Sequence, residues 1–224
     1  MPSIDDIAAE YVERAAALDP CYATYAGIAG HDHELPDLGA DGFAGRAELD
    51  RSTLAALDAA EAPDPRDQAA RAALRERLAL AVECYDAGDT TSKLNTIDSW
   101  VQTVREVFDL MPTDGEEAAA NIARRMAAVP RAYRQLSATL LDAARDGRCA
   151  ARRQVEEAAG QCAAWAKPGD SFYSGLAGRL TAVPDSLRGE LAVAARGPGR
   201  HGRAWRLPRP RADAAGQGEG CLRA

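Results

Sequence analysis

Residues 94–130, LNTIDSWVQTVREVFDLMPTDGEEAAANIARRMAAVP, decide the fold class of this chain. Val101, Val104, Val107 and Phe108 recur at intervals of three and four residues, which lines them along one side of a helix and turns Gln102, Arg105, Glu106 and Asp109 elsewhere. Pro112 has no amide hydrogen to continue the ladder and is expected to end that helix. Thr113 stands three residues before Glu116, the spacing of a capping box, so a second helix is expected to start there. Ile122, Met126 and Val129 give the second helix its apolar stripe. Asp114, Glu116 and Glu117 set negative charge at its positive end, and Pro130 is expected to close it. The unit reads as two helices joined at a tight Met111-Pro112-Thr113 corner.

The same punctuation runs outward in both directions. Ser3 is placed to cap a helix carrying Ile4, Ile7, Tyr11, Val12, Ala15 and Leu18 on one face, and Asp19-Pro20 stops it. A short helical turn follows around Tyr22 to Ile28. Gly30 to Gly42 is rich in Gly, Asp and Pro and reads as a loop. Asp41 is expected to cap a helix from Phe43 to Ala60, with Phe43, Ala47, Leu54 and Leu57 inward. Asp64 caps the next, with Pro65 in the first helical position; Leu74, Leu78, Ala81, Val82 and Tyr85 mark its buried side up to Gly88. Beyond Pro130, Tyr133, Leu136 and Leu140 define a helix to Gly147. Val155, Ala158, Ala159, Cys162 and Trp165 define another, stopped by Pro168-Gly169, and a shorter pair spans Phe172 to Leu180 and Leu187 to Ala194. The reading is an all-α fold: a multi-helix array of about eight to ten helices in antiparallel hairpins, followed by a disordered C-terminal tail.

Composition agrees. Aromatics are only 5% of the chain, alanine is abundant, and long alternating runs of Val, Ile and Thr are missing. A compact chain of 224 residues can bury roughly 70% of its extended surface, enough for a sizeable core. No apolar run approaches the ~20 residues that span a bilayer, and the acidic, amphipathic N-terminus is no secretory signal, so a cytoplasmic protein without a membrane partner is expected. Cys21, Cys84, Cys149, Cys162 and Cys221 are widely separated and odd in number, without a CxxC pair. They are expected to be mostly buried thiols, forming neither a disulfide frame nor a zinc knuckle.

The text changes at Gly197. Of the residues from Gly197 to Ala224, twenty are Gly, Pro, Arg or Ala. Arg196 to Ala224 carries seven arginines against Asp213 and Glu219, a net of +5, so the preceding 195 residues hold −12 of the total −7. Residues 1–195 are therefore expected to form the helical domain and 196–224 a basic Arg/Gly/Pro-rich tail. Arginines interleaved with Trp205 are the ingredients of weak nucleic-acid binding. A GC-rich gene read in a shifted frame yields the same residues, and the helix begun at Pro184 is expected to stop at Gly197-Pro198-Gly199 without a prepared cap. A frame-shifted tail is the preferred reading and nucleic acid the less favoured partner.

Few residues offer chemistry. His31, Asp32, His33 and Glu34 are metal-ligand types, but they are consecutive, whereas a helical zinc site spaces its ligands to share one face. Solvated loop side chains are the simpler account. Asp5-Asp6 and Glu116-Glu117 fall in predicted first turns, where capping and the helix dipole explain them. Arg124-Arg125 and Arg152-Arg153 are possible anion sites, yet exposed helix faces routinely carry such pairs. Trp100 and Trp165 read as core or interface residues. No GxSxG, Walker or dinucleotide fingerprint is present, so no catalytic or cofactor-binding residue is assigned.

LNTIDSWVQTVREVFDLMP, the helix ending RRMAAVPRAYRQL, and AARRQVEEAAGQCAAWA resemble the N-terminal helical region of the bacterial proteins called domain of unknown function 885. DPCYATYAGIAGHDHELPDLG is similar to the same family's entry helix and loop. The likeness spans residues 3 to 195, with Ser99-Trp100 standing where that family leads one to expect Ser-Pro. The resemblance implies a longer all-helical protein similar to zinc metallopeptidases, whose histidine- and glutamate-rich motif lies downstream of the region covered here. No residue of this chain matches that motif, so zinc is implied for relatives and none for these residues. The expectation is a catalytically incomplete helical scaffold fragment of a metallopeptidase-like hydrolase. Its partner would be the missing C-terminal part of the fold, or a second copy joined through exposed apolar helix faces. The alternative is a free-standing helical interaction module that binds a protein or, through its basic tail, nucleic acid.

Overall fold

The computed structural model describes residues 2–181 and 183–200. Among the described residues the chain is helical throughout, with no strand: α1 (Ile4–Leu18), α2 (Pro20–Ala26), α3 (Ala40–Ala59), α4 (Pro65–Asp86), α5 (Asp89–Ser92), α6 (Trp100–Glu106), a 3-10 turn (Val107–Asp109), α7 (Glu116–Arg145), α8 (Arg152–Trp165), α9 (Phe172–Arg179) and α10 (Asp185–Arg200).

Two cores organise these helices. The smaller lies where α1 crosses the α3–α4 hairpin, closed by Ile4, Ile7, Leu57, Ala60 and Leu78. Ser3 starts α1 through a capping box with Asp6, and Asp64 and Pro65 start α4, both as the sequence leads one to expect. α4 is nonetheless an outer helix. Of its expected inward residues only Leu78 is buried, while Ala81 is exposed. Val12, placed inward on α1 by periodicity, is also exposed.

The larger core is built around α7. Ile122, Met126, Val129, Tyr133, Leu136 and Leu140 face Val101, Val104 and Phe108 of the α6 segment, Val155, Ala158 and Cys162 of α8, and Tyr173 and Leu176 of α9. Phe108, Phe172 and Tyr173 meet edge to face, with centroids 5.2–6.4 Å apart. The expected break at Pro130 does not occur: α7 is one helix of 30 residues containing that proline. A proline inside a helix costs about 3 kcal/mol. Burying Ile122, Met126, Val129, Tyr133 and Leu136 on both sides of it contributes about 2 kcal/mol each, so packing outweighs the local rule.

Other local expectations are also corrected. α7 starts at Gly115, whose φ of 93° suits glycine, and Thr113 makes no capping box with Glu116. The Thr113 carbonyl instead accepts from the Thr181 amide at 3.3 Å, and Asp114 accepts from the Thr181 hydroxyl at 2.8 Å. Asp41 lies within the first turn of α3, whose N-cap is Gly39. α10 runs through Gly197-Pro198-Gly199 to Arg200; the rest of the predicted tail, residues 201–224, lies outside the described residues. Cys21 and Cys162 are buried free thiols and Cys84 is a half-buried one. Cys149 departs from the mostly thiol state expected, since it is disulfide-bonded. No helix among those residues is long and apolar enough to cross a membrane.

Candidate functional site

The segment between α2 and α3 carries the metal-type residues, and a buried arginine decides its shape. Arg125 lies on the apolar side of α7, three residues after Ile122 and four before Val129, and is fully buried. Its Nε donates to the Glu34 carbonyl at 2.8 Å, and one Nη donates to the carbonyls of His31 at 2.9 Å and Pro20 at 3.2 Å. The other Nη is buried without a hydrogen bond. Burial lowers the guanidinium pKa, and the nearby Cys21, Asp32, Asp19 and Glu34 oppose that shift. Of the suggested anion pairs, therefore, Arg125 is a clamp for main-chain oxygens, while Arg124 is exposed and Arg152 pairs with Glu156.

This clamp fixes His31, Asp32, His33 and Glu34 in a loop without bringing them to one point. Asp32 accepts from the Thr24 hydroxyl at 2.7 Å, and His33 Nε2 lies 3.5 Å from the Glu34 carboxylate. No group of three His, Cys, Asp or Glu among the described residues could hold a metal ion. The quartet does not fit a zinc site. Asp5 pairs with Arg66, Asp6 caps α1, and Glu116 and Glu117 occupy the first turn of α7.

The concave feature that stands out lies on the other side of α2, and sequence reading missed it. A groove of about 880 Å3 runs between α2, the residues following α5, and α6 with its 3-10 turn. Tyr22, Tyr25 and Leu110 line it while remaining 41%, 80% and 54% exposed, and Trp100 adds a half-buried ring. Ile97, 82% exposed, precedes the lining residue Asp98. A polar network holds that rim in place. Asn95 Oδ1 accepts from the Ile97 and Asp98 amides at 2.8 and 2.6 Å; Gln102 donates to Gln161 at 2.7 Å, and Gln161 donates to the Thr96 carbonyl at 3.0 Å.

Trp100 takes the first position of α6, where the resemblance leads one to expect proline, and uses it for packing. Its ring meets Phe43 at 6.2 Å, and the Arg46 guanidinium lies 4.6 Å from the Phe43 centroid and 5.3 Å from that of Trp100. At the base of the groove Asp19 accepts from the Tyr22 and Cys21 amides at 3.0 and 3.1 Å. Burial raises the Asp19 carboxyl pKa against these amides and the charge of Arg46. Burial also pushes the Cys21 thiol up to about 12, so it stays protonated at neutral pH and is no activated nucleophile. The groove has the features of a binding surface, with apolar walls and polar groups tied into the fold.

The class of protein defined so far is an all-helical scaffold with a preformed aromatic-lined groove. The chain belongs to the family of bacterial proteins of unknown function DUF885, which matches residues 20–199. No curated protein matches it.

Proposed function

We propose that this chain is a helical scaffold portion of a zinc-metallopeptidase-like hydrolase, and that its aromatic groove forms part of the wall along which a peptide substrate lies. The observation that carries the reading is the gathering of Tyr22, Tyr25 and Leu110, large and exposed, in one concave surface, with exposed Ile97 nearby, its amide donating to Asn95 Oδ1. Exposed apolar groups concentrated in a groove mark a surface that something covers. Apolar and aromatic side chains bind an extended peptide by burying its side chains, and the ordered 95–98 turn means little is lost in fixing the rim. None of the described residues is assigned to zinc or to bond cleavage in this reading. Their part is to bind and orient, while the chemistry comes from the remaining part of the family fold, which would pack against these helices.

The test is to read the DNA downstream of this coding frame in its other frames. Further amphipathic helices and a histidine- and glutamate-rich zinc motif are expected there, and an intergenic region would overturn the proposal. Binding to the groove is checked separately by titrating the chain with an apolar tripeptide while following tryptophan fluorescence. Tyr25→Ala is expected to weaken any response without lowering stability.

A further inference from the structure

Most arginines whose side chains are described are neutralised or hydrogen-bonded, including Arg14, Arg51, Arg66, Arg75, Arg105, Arg145, Arg148, Arg152 and Arg188 in ion pairs. Arg124, Arg131, Arg134, Arg153 and Arg179 have neither among the described residues, and all five are exposed. Three of these belong to one helix. Arg124 and Arg131 are seven residues apart, two helical turns, and Arg134 follows one turn later, so they form a stripe on the outer face of α7. The stripe is a local reversal of sign on a body whose first 195 residues carry −12.

Two of these arginines face a groove of about 680 Å3 between α7 and α10, distinct from the aromatic one. Ala127 and Pro130 lie between Arg124 and Arg134 along its floor, and Val193 of α10, 65% exposed, stands on the opposite wall near Glu190. Small residues between two unpaired cations leave room for an incoming chain, and an exposed valine offers it apolar contact. Arg131 lines a separate hollow that also holds Glu34 and Asp37, and so lies outside the groove.

We propose that the α7–α10 groove docks an acidic, partly apolar peptide segment of a partner protein, its carboxylates meeting Arg124 and Arg134 and its aliphatic side chains meeting Ala127, Pro130 and Val193. Charge complementarity selects the acidic partner, since Arg124 and Arg134 form no ion pair among the described residues and the groove lining sets one carboxylate, Glu190, against these two guanidiniums. The apolar lining favours a peptide over a phosphate backbone, which has nothing to bury there. The inference rests on residues separate from the aromatic groove, so either reading can fail alone.

Fluorescence anisotropy with the whole chain tests it, using a labelled Glu- and Leu-rich peptide, its Lys- and Leu-rich counterpart, and single-stranded oligothymidine. The acidic peptide is expected to bind saturably and more weakly at high salt. Affinity should fall about tenfold in Arg124→Glu/Arg134→Glu and stay unchanged in Arg153→Glu/Arg179→Glu, which alters equally unpaired arginines elsewhere. Circular dichroism checks that both variants fold, and Arg124→Gln/Arg134→Gln replaces the first if it does not. No binding, equal binding of the basic peptide, tighter binding of oligothymidine, or equal losses in both variants would overturn the proposal. So would a concentration-dependent dimer that the groove variant abolishes, because a second copy would then be the occupant.

Discussion

Arg125 of α7 donates its Nε hydrogen to the carbonyl oxygen of Glu34 at 2.8 Å, tying the N-terminal third of that helix to the loop between α2 and α3. The same side chain also holds the carbonyls of Pro20 and His31. One buried cation thus organises a segment with no regular ladder of its own, which is why the histidine-containing loop has a defined path without a metal cluster.

Replacing it tests that role. Arg125→Leu keeps apolar bulk but takes the guanidinium from three carbonyls: those of His31 and Pro20 still accept from the Glu34 amide and the Thr24 hydroxyl, while that of Glu34 loses the Arg125 Nε donor, and a buried acceptor so stranded costs about 1–3 kcal/mol. We expect a loss of about 2 kcal/mol in urea unfolding and faster amide exchange over residues 28–38. A loss below about 1 kcal/mol would show that the clamp is incidental.

Pro130 offers a change of opposite sign. It stands within α7 and is tolerated because buried neighbours hold the helix on both sides. Pro130→Ala restores the missing amide donor and relieves the ring clash, and part of that gain is offset because the unfolded chain becomes freer. Stabilisation by about 2 kcal/mol at an unchanged urea m-value is expected.

Gly42 should tolerate no side chain. A Cβ there would lie 2.1 Å from the main-chain oxygen of Asp37. Asp37 is poorly placed to yield, since its carboxylate accepts from the Gly39 amide at 2.7 Å and from Gln135 at 2.8 Å. Gly42→Ala is expected to cost more than about 2 kcal/mol in thermal or urea unfolding, the effect of forced overpacking against fixed backbone.

Burial of Cys21 and Cys162 predicts a dependence on alkaline pH. Both thiols are pushed up to about 12 in the folded chain. Above the unfolded thiol value, near 8.5, the unfolded chain sheds protons that the folded chain keeps, so stability falls as pH rises toward 12. Urea midpoints should decline from pH 9 to 11, and less steeply in Cys21→Ala/Cys162→Ala. In native buffer at pH 8, iodoacetamide should label Cys84 well before Cys21 or Cys162.

The helical class, the caps at Ser3 and Asp64 and the apolar stripes of α6 and α7 were legible because they depend on neighbours three or four residues away. The candidate site was much less so. Arg125 lay in plain view on the Ile122–Met126–Val129 face, a signal that it pointed inward, but its acceptors at Pro20, His31 and Glu34 are about ninety to a hundred residues away. The aromatic groove is likewise assembled from α2 and α6, which no local spacing relates.

By itself the sequence determined helix content and the starts of α1 and α4, which follow from short-range periodicity and capping, and its text carried the family likeness. Only the tertiary structure decided whether Pro130 would break α7, where Arg125 would spend its donors, and which of the arginines would be left without a partner. Those outcomes depend on burial and on contacts between distant segments, whose combined free energy exceeds the local preferences that spacing alone reveals.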